Sequence, residues 1–430
     1  MSFEKRVAAD MVASVGSDGT IGLGQAVALY VCAILGAGVL VLPGQAASLA
    51  GPASLVAWLF SALMGVPLAF TFAFLASRFP DAGGVATYAA RAFGTVAGGV
   101  TGWWYFIAGS VGQTVVPLTA GYYVATALEI DQAWGPVFGG GVLLIAVGVN
   151  LMGMKTSSKL QMGLALGVAA MLIAVTLVAV PQIGLSHFAP FAPHGVAGIG
   201  RAVVVLFFAF AGWETIAHLS AEFRNVRRTL PLATMLTIVI VTLLYFGVAL
   251  AVVGAGAYGT QSLDRVSLGT IIGKGLGVSA ATVVAICAVV ICLGTTNAFV
   301  ASVARLGYAL GRDGWAPRAF ARTGSNGVPG NSVLAVGGVG AAGLLASAVL
   351  GWGTDDIVFI PSVLVLATYL LGVCAAVKIF TGLKRLTALA AGALLVVTLP
   401  FAGWHLTVPL VIAVLVAMTR IRTHARRPLP

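Results

Sequence analysis

Two short segments hold the residues whose types and spacing could do chemistry. One is Leu35-Gly36-Ala37-Gly38-Val39, with Pro43-Gly44 behind it; the other is Phe208-Ala209-Phe210-Ala211-Gly212-Trp213-Glu214. Each interrupts a long apolar run. Gly36 and Gly38 are two apart, so on a 3.6-residue helix they would point to roughly opposite sides. Glycines that serve close helix packing are spaced by four, on one face. The two-residue spacing suits an unwound stretch. Inside hydrocarbon such a stretch exposes N–H and C=O groups that protein, water or ligand must satisfy. The flanking half-helix ends add dipoles, an N-terminus attracting an anion and a C-terminus a cation. An amino acid zwitterion carries both charges a few bonds apart. The half-helix at Val39 would present its N-terminus to the carboxylate, and carbonyls near Leu35 and over 208–210 would receive the ammonium group.

Glu214 is the one carboxylate that the sequence places deep in an apolar run. A charge there costs about 2.5–3.5 kcal/mol on insertion scales, so such residues are usually functional. Hydrocarbon favours its neutral form, which suits a proton carrier; the alternative is a structural acid hydrogen-bonded to a neighbouring helix. His218 follows four residues on and Glu222 four beyond, all on one helix face. That face reads equally as a proton relay or as a polar stripe meeting water at a helix end. Gln113 and Pro117 shape either a cavity or a kink.

The elements that must position these residues follow from composition. Of 430 residues only 8% are charged, against about 25% in soluble domains, while 60% are apolar and the mean hydropathy is +1.05. This excludes a soluble enzyme, a disordered chain and a disulfide scaffold, and leaves an all-α polytopic membrane protein. The net charge of +11 does not mark a nucleic-acid binder, because the basic residues stand in small groups between apolar stretches. Cys32, Cys287, Cys292 and Cys374 lie in apolar runs without metal-ligand company and read as small packing residues; no metal and no cofactor is expected. Glu4, Asp10 and Asp18, ahead of a first apolar run too long for a signal peptide, argue against a cleavable one.

At about 20 apolar residues per crossing, twelve transmembrane helices are predicted: 22–50, 52–77, 95–127, 134–152, 159–180, 198–221, 230–255, 277–309, 333–350, 354–379, 386–402 and 405–421. With the N-terminus cytoplasmic, every Lys and Arg except Arg201, Arg265 and Lys274 falls on the cytoplasmic side. That bias supports both the count and the orientation, with both termini inside. The glycine interruptions then sit in spans one and six. Five spans per repeat invert the second copy, and paired interruptions in two halves point to a transporter site at the bilayer midplane. The predicted organisation is a tail (1–20), a first repeat (21–180), an outer loop (181–197), a second repeat (198–380), two further spans (381–421) and a cytoplasmic tail (422–430).

These segments carry a family resemblance. Gly36-Ala37-Gly38-Val39, the loop Arg78-Phe79-Pro80-Asp81-Ala82-Gly83-Gly84 running on to Tyr88 and Phe93-Gly94, the stretch Phe208 to Asn225, and Ala304-Arg305-Leu306-Gly307-Tyr308-Ala309 with Arg312-Asp313-Gly314 occur in order over nearly the whole chain. Together they resemble the amino acid–polyamine–organocation (APC) superfamily, which implies a LeuT-like 5+5 inverted repeat with broken helices 1 and 6. The run Trp213-Glu214 with Ala217-His218-Leu219 is most similar to bacterial exporters of methionine and branched-chain amino acids. The resemblance implies that Gly36, Ala37 and Gly38 bind the substrate carboxylate, that Phe208 is a gating aromatic, that Phe299 faces the substrate and that Glu214 senses protons. It also implies the bacterial inner membrane. Certain proton-coupled members carry a Lys inside the fifth span; residues 160–180 here have none, which leaves Glu214 as the coupling candidate.

Around the two breaks Leu35, Ala37, Val39, Phe208, Phe210 and Trp213 form an apolar setting, which fits a small neutral amino acid better than a cationic one. The expected substrate-binding set is Leu35, Gly36, Ala37, Gly38, Val39, Phe208, Ala209, Phe210, Gly212 and Phe299, with Glu214 and His218 for proton coupling. The expected partners are the amino acid, a proton and membrane lipid. A parallel six-plus-six transporter would need a long loop after span six, where only 222–229 is available. A membrane-embedded enzyme would need a catalytic set at membrane depth, and none is visible; a channel would lack saturation and counterflow.

Overall fold

In hydrocarbon the helix is one of two ways to satisfy a spanning backbone, and the computed structural model is helical throughout. It describes residues 22–79, 84–153, 158–213, 226–324 and 326–425, and no strand occurs among the described residues. The first predicted span is two helices, α1 (Leu23–Ile34) and α2 (Leu42–Ala50), joined through a 3-10 turn at Ala37–Leu40. Then come α3 (Ser54–Arg78), α4 (Gly84–Phe93), α5 (Thr95–Ala127), α6 (Gly135–Leu151) and α7 (Ser158–Ala179). The sixth predicted span opens with α8 (Gly195–Leu206), which stops at the second glycine-containing segment. The chain continues through α9 (Val226–Gly254), short α10 (Gln261–Asp264), α11 (Ser267–Leu276), α12 (Val278–Arg312), α13 (Gly330–Leu350), short α14 (Thr354–Ile357), α15 (Phe359–Ile379), α16 (Gly382–Thr398) and α17 (Thr407–Ala425).

Among the described residues eight helical segments are long and apolar enough to cross a membrane, Leu42–Arg78 and Gly382–Met418 the longest. The difference from twelve has physical causes. α1 and α8 have 12 residues each before their breaks. α5 is 33 residues long, but Gly, Thr, Tyr, Trp and Gln dilute its apolarity. The two last predicted spans lie within the single run Gly382–Met418, which turns at Gly403.

The helices pack in two sets. α5, α6, α12 and α13 pack on one another. Missing side chains let them approach: a Cβ on Gly340 of α13 would come within 3.0 Å of Gln113 on α5, and one on Gly139 of α6 within 2.8 Å of the Pro117 carbonyl. Asn150 of α6 donates to Asn297 Oδ1 of α12 at 2.8 Å, an amide pair that pins this set internally. The second set is α1, α2, α3, α8 and α9. Here Trp58 of α3 meets Tyr245 of α9 at a centroid distance of 5.2 Å. Both interruptions belong to the second set and face the first.

The two ends of the bundle differ in charge. One end carries Arg78, Arg91, Lys378, Lys384 and Arg385. The other carries Glu129, Asp131, Asp264, Asp355 and Asp356, five of the six described carboxylates.

Candidate functional site

The first break is local in origin. Leu35 leaves the helix at φ −72°, ψ 66°, and Gly36 is extended at φ −83°, ψ −179°. The next turn begins at Ala37, and the Val39 N–H bonds back to the Gly36 carbonyl at 3.5 Å. The N–H groups of Ala37 and Gly38 therefore head a helical turn without an acceptor inside it. In the second break, Phe208 and Ala209 N–H bond three residues back, to Val205 and Leu206, as α8 tightens and ends. Gly212 then takes φ +122°, a region that side chains disfavour.

Four tyrosine hydroxyls serve the backbone groups freed by these breaks. Tyr245 Oη lies 2.8 Å from the Ile34 carbonyl and 3.4 Å from the Ala209 carbonyl, so one hydroxyl on α9 spans both interruptions. Tyr369 of α15 accepts from the Gly212 N–H at 2.9 Å. Tyr30 donates to the Trp213 carbonyl at 3.2 Å, and Tyr123 of α5 to the Leu40 carbonyl at 2.9 Å. A backbone unwound at membrane depth survives only where buried polar side chains meet it, and these tyrosines do so.

Between the two helix sets lies a cavity of about 60 Å³, room for about two waters. Ile34, Gly36, Ala37 and Gly38 line it from the first break, Phe208, Ala209 and Ala211 from the second, and Tyr245 from α9. The opposite wall is Tyr105, Ala108, Gly109, Gly112, Gln113 and Val116 of α5, Thr295 and Phe299 of α12, and Pro361 and Val365 of α15. Among the described residues no lining residue is charged. The electrostatics come from backbone: the head of the Ala37 turn supplies partial positive charge, and the ends of α1 and α8 partial negative charge.

The Phe208 ring occupies much of this space. A Cβ on Gly38 would stand 3.4 Å from its Cδ1, and one on Gly112 would stand 3.5 Å from its Cε2. The ring is thus seated between two glycines on facing helices. Gln113 turns its Nε2 onto the Gly109 carbonyl at 3.0 Å, while its Oε1 has no hydrogen-bond partner.

Of the residues predicted from sequence, Gly36, Ala37, Gly38, Phe208, Ala209 and Phe299 come together on the cavity wall. Leu35, Val39 and Phe210 are buried behind it; Phe210 packs edge-on against Tyr245 at 5.4 Å. Gly212 lies off the wall and shapes the turn. Glu214 and His218 lie outside the described residues. Sequence reasoning missed Tyr245, whose signal was a lone tyrosine within the apolar stretch 230–255, and Thr295, Gly112 and Tyr105, which carried none.

A second cavity of about 290 Å³ opens at the acidic end, lined by Gln45, Ser48, Gln261, Asp264, Arg265 and Asp355 among others. Arg265 pairs with Asp355 at 3.3 Å over the Tyr122 ring. Burial pushes the Asp264 carboxyl up from its ordinary range, and the Gly259 N–H and Ser48 hydroxyl partly restore it. Gln45 Nε2 donates to Thr354 at 2.8 Å, which ties α2 to α14 above the site.

Broken helices that meet at a small cavity within a bundle of apolar, membrane-length helices are the architecture of a membrane transporter. The comparisons make this specific. The sequence pattern of the amino acid permease family matches residues 21–426, and the chain belongs to that family. It is 31% identical over 393 residues to the uncharacterized amino acid permease YecA of Bacillus subtilis, covering 90% of this chain and 92% of that one. It is 29% identical to the L-methionine/branched-chain amino acid exporter YjeH of Escherichia coli, covering 89% and 92%. The branched-chain amino acid permease BcaP of Lactococcus lactis is 27% identical, with 71% of each chain covered. The fold matches that of MhsT, solved in complex with L-phenylalanine, with a TM-score of 0.65 at 15% identity over 90% of this chain and 99% of that one.

Proposed function

We propose that this amino acid transporter exports neutral hydrophobic amino acids of the methionine, leucine, isoleucine and valine class by proton-coupled alternating access. The observation that carries the substrate class is the cavity wall, uncharged among the described residues, with opposed helix ends on one side. A zwitterion finds its two complements there, and no described side chain adds a charge that would select a cationic or acidic substrate. Export is favoured by the name of the YjeH relative; import or exchange is the second reading, favoured by the name of BcaP. The arrangement in this reading is twelve spans in a 5+5 inverted repeat, 21–180 and 198–380, in the bacterial inner membrane with the basic end and both termini cytoplasmic. The deciding measurement is counterflow in proteoliposomes with a panel of amino acids, with and without a pH gradient. Saturable exchange of methionine and leucine, without exchange of arginine or glutamate, is the expected result.

Phe208 is the closing residue in this reading. It stands where α8 ends, so a small backbone rotation moves the ring far. Phe208→Ala removes a large part of the contact area, and Phe-to-Ala truncations cost about 3–5 kcal/mol when the ring is fully packed. This ring is half-buried, so affinity for leucine should fall by on the order of tenfold and exchange should slow. Counterflow equal to the unaltered protein's would reduce Phe208 to a packing residue.

Glu214 is assigned the coupling role on sequence grounds. Protonated it is neutral and donates a hydrogen bond; ionised it demands water or a partner. Glu214→Gln fixes the neutral form, so binding should persist while the pH profile of net flux flattens between about pH 5.5 and 8. Parallel profiles for the two proteins would leave Glu214 a structural acid.

A further inference from the structure

The basic end of the bundle carries a cluster that lies outside the proposed substrate site. Arg78 ends α3, Arg91 sits in the last turn of α4, Lys378 ends α15, and Lys384 and Arg385 open α16. Shared rings bring most of them together. Arg78 and Lys384 both stand 5.6 Å from the centroid of Phe380, and Arg78 and Arg91 flank Phe79 at 5.7 and 4.5 Å. Lys384 also reaches Phe74 at 5.2 Å. Two of these cations cap neighbouring helices, Arg78 on the Ile379 carbonyl at 3.4 Å and Lys378 on the Ala92 carbonyl at 2.7 Å. Each keeps further donors for another group. Among the described residues no carboxylate pairs with any of the five. In sequence the segments 78–91 and 378–385 hold five basic residues and one acid, Asp81, a net of +4.

Like charges gathered at the end of a membrane bundle repel one another unless an anion joins them. Just beyond the cluster, Leu383, Leu386 and Leu389 stand exposed along α16, on the lipid side of the bundle. Cations at the level where spans end, next to an apolar track running into the bilayer, match a molecule with a phosphate head and acyl tails. We propose that this corner, between α3, α4, α15 and α16, is a binding site for an anionic phospholipid. Its phosphate lies among Arg78, Lys384 and Arg385, and an acyl chain lies along the α16 leucines. Phe380, 5% exposed, is the fixed floor that holds cations from two different helices in register.

The test uses the full chain purified in uncharged detergent. Binding of dioleoylphosphatidylglycerol and of dioleoylphosphatidylcholine is measured by native mass spectrometry, with inorganic phosphate as a third arm. Phosphatidylglycerol should bind clearly tighter than phosphatidylcholine. Lys384→Gln and Arg385→Gln, neither of which removes a helix cap, should each weaken phosphatidylglycerol about fivefold and leave phosphatidylcholine unchanged. Arg385→Gln alone suffices if the Lys384 variant does not fold. Arg318→Gln and Arg322→Gln, exposed elsewhere at the same end, should change nothing. Equal binding of the two lipids overturns the proposal. So does an equal loss in the Arg318 and Arg322 variants, which would mark a diffuse field, or displacement of the lipid by millimolar phosphate, which would mark a site for the free anion.

Discussion

A Gly38→Leu protein is expected to insert and fold but to bind neither methionine nor leucine. A Cβ at this position would lie 3.3 Å from Leu42 Cδ1 and 3.4 Å from Phe208 Cδ1. Alanine is thus a tight fit that makes Leu42 give by a few tenths of an ångström and meets the Phe208 ring at contact distance. Leucine adds three carbons more, into the cavity of about 60 Å³ left beside the ring. Overpacking costs about 1–3 kcal/mol, and losing a hydrogen bond to a carboxylate costs about 1.5–3 kcal/mol more. Together these weaken binding on the order of a hundredfold or beyond. Gly38→Ala should fall between the two. The check is thermal shift of each purified variant with methionine and leucine. A Gly38→Leu protein stabilised as strongly as the unaltered one would place the amino acid elsewhere.

The second large effect is expected at Tyr245. Tyr245→Phe keeps the ring that packs between Trp58 and Phe210 and deletes only the hydroxyl. The Ile34 carbonyl then keeps only the Gly36 N–H at 2.7 Å, and the Ala209 carbonyl loses its 3.4 Å hydroxyl contact. Losing a hydrogen bond of this kind costs about 0.5–1.5 kcal/mol. The same hydroxyl ties the two breaks together, and in the proposed site the amino acid spans them. Tyr245→Phe should therefore melt earlier and bind leucine about tenfold more weakly. Tyr245→Ala should do worse, because it opens a hole as well. Unchanged melting and affinity in Tyr245→Phe would make the hydroxyl incidental.

How much of this was legible in the sequence depended on whether the signal was local. Apolar length marked the helices, because hydrocarbon imposes the same rule on every residue of a span. The two-residue spacing of Gly36 and Gly38 marked the first break, because a helix cannot use it for packing. Which side chains of a broken segment face inward was not legible. Periodicity stops where the helix stops, so Leu35 and Val39 seemed equivalent to Gly36 and Gly38, yet they pack away from the cavity. Tyr245 was invisible for another reason. A tyrosine in an apolar run reads as packing, and its value lies in two carbonyls, Ile34 and Ala209, that are distant in sequence. Thr295 and Gly112 acquire meaning only from helices brought together by the tertiary fold.

The Phe208 ring, seated between Gly38 and Gly112, also bears on what happens when nothing is carried. A transporter that resets without cargo passes through a stage in which its centre is vacant, and a wet centre would short-circuit the ion gradient that drives it. Here the Phe208 ring stands between the two helix sets, and the space beside it, with no charged residue among its described lining, has room for about two waters. In the proposed cycle the ring closes over cargo, and its return to this seat after release would shut the centre again. The expected gain is a protein that leaks little on its empty stroke.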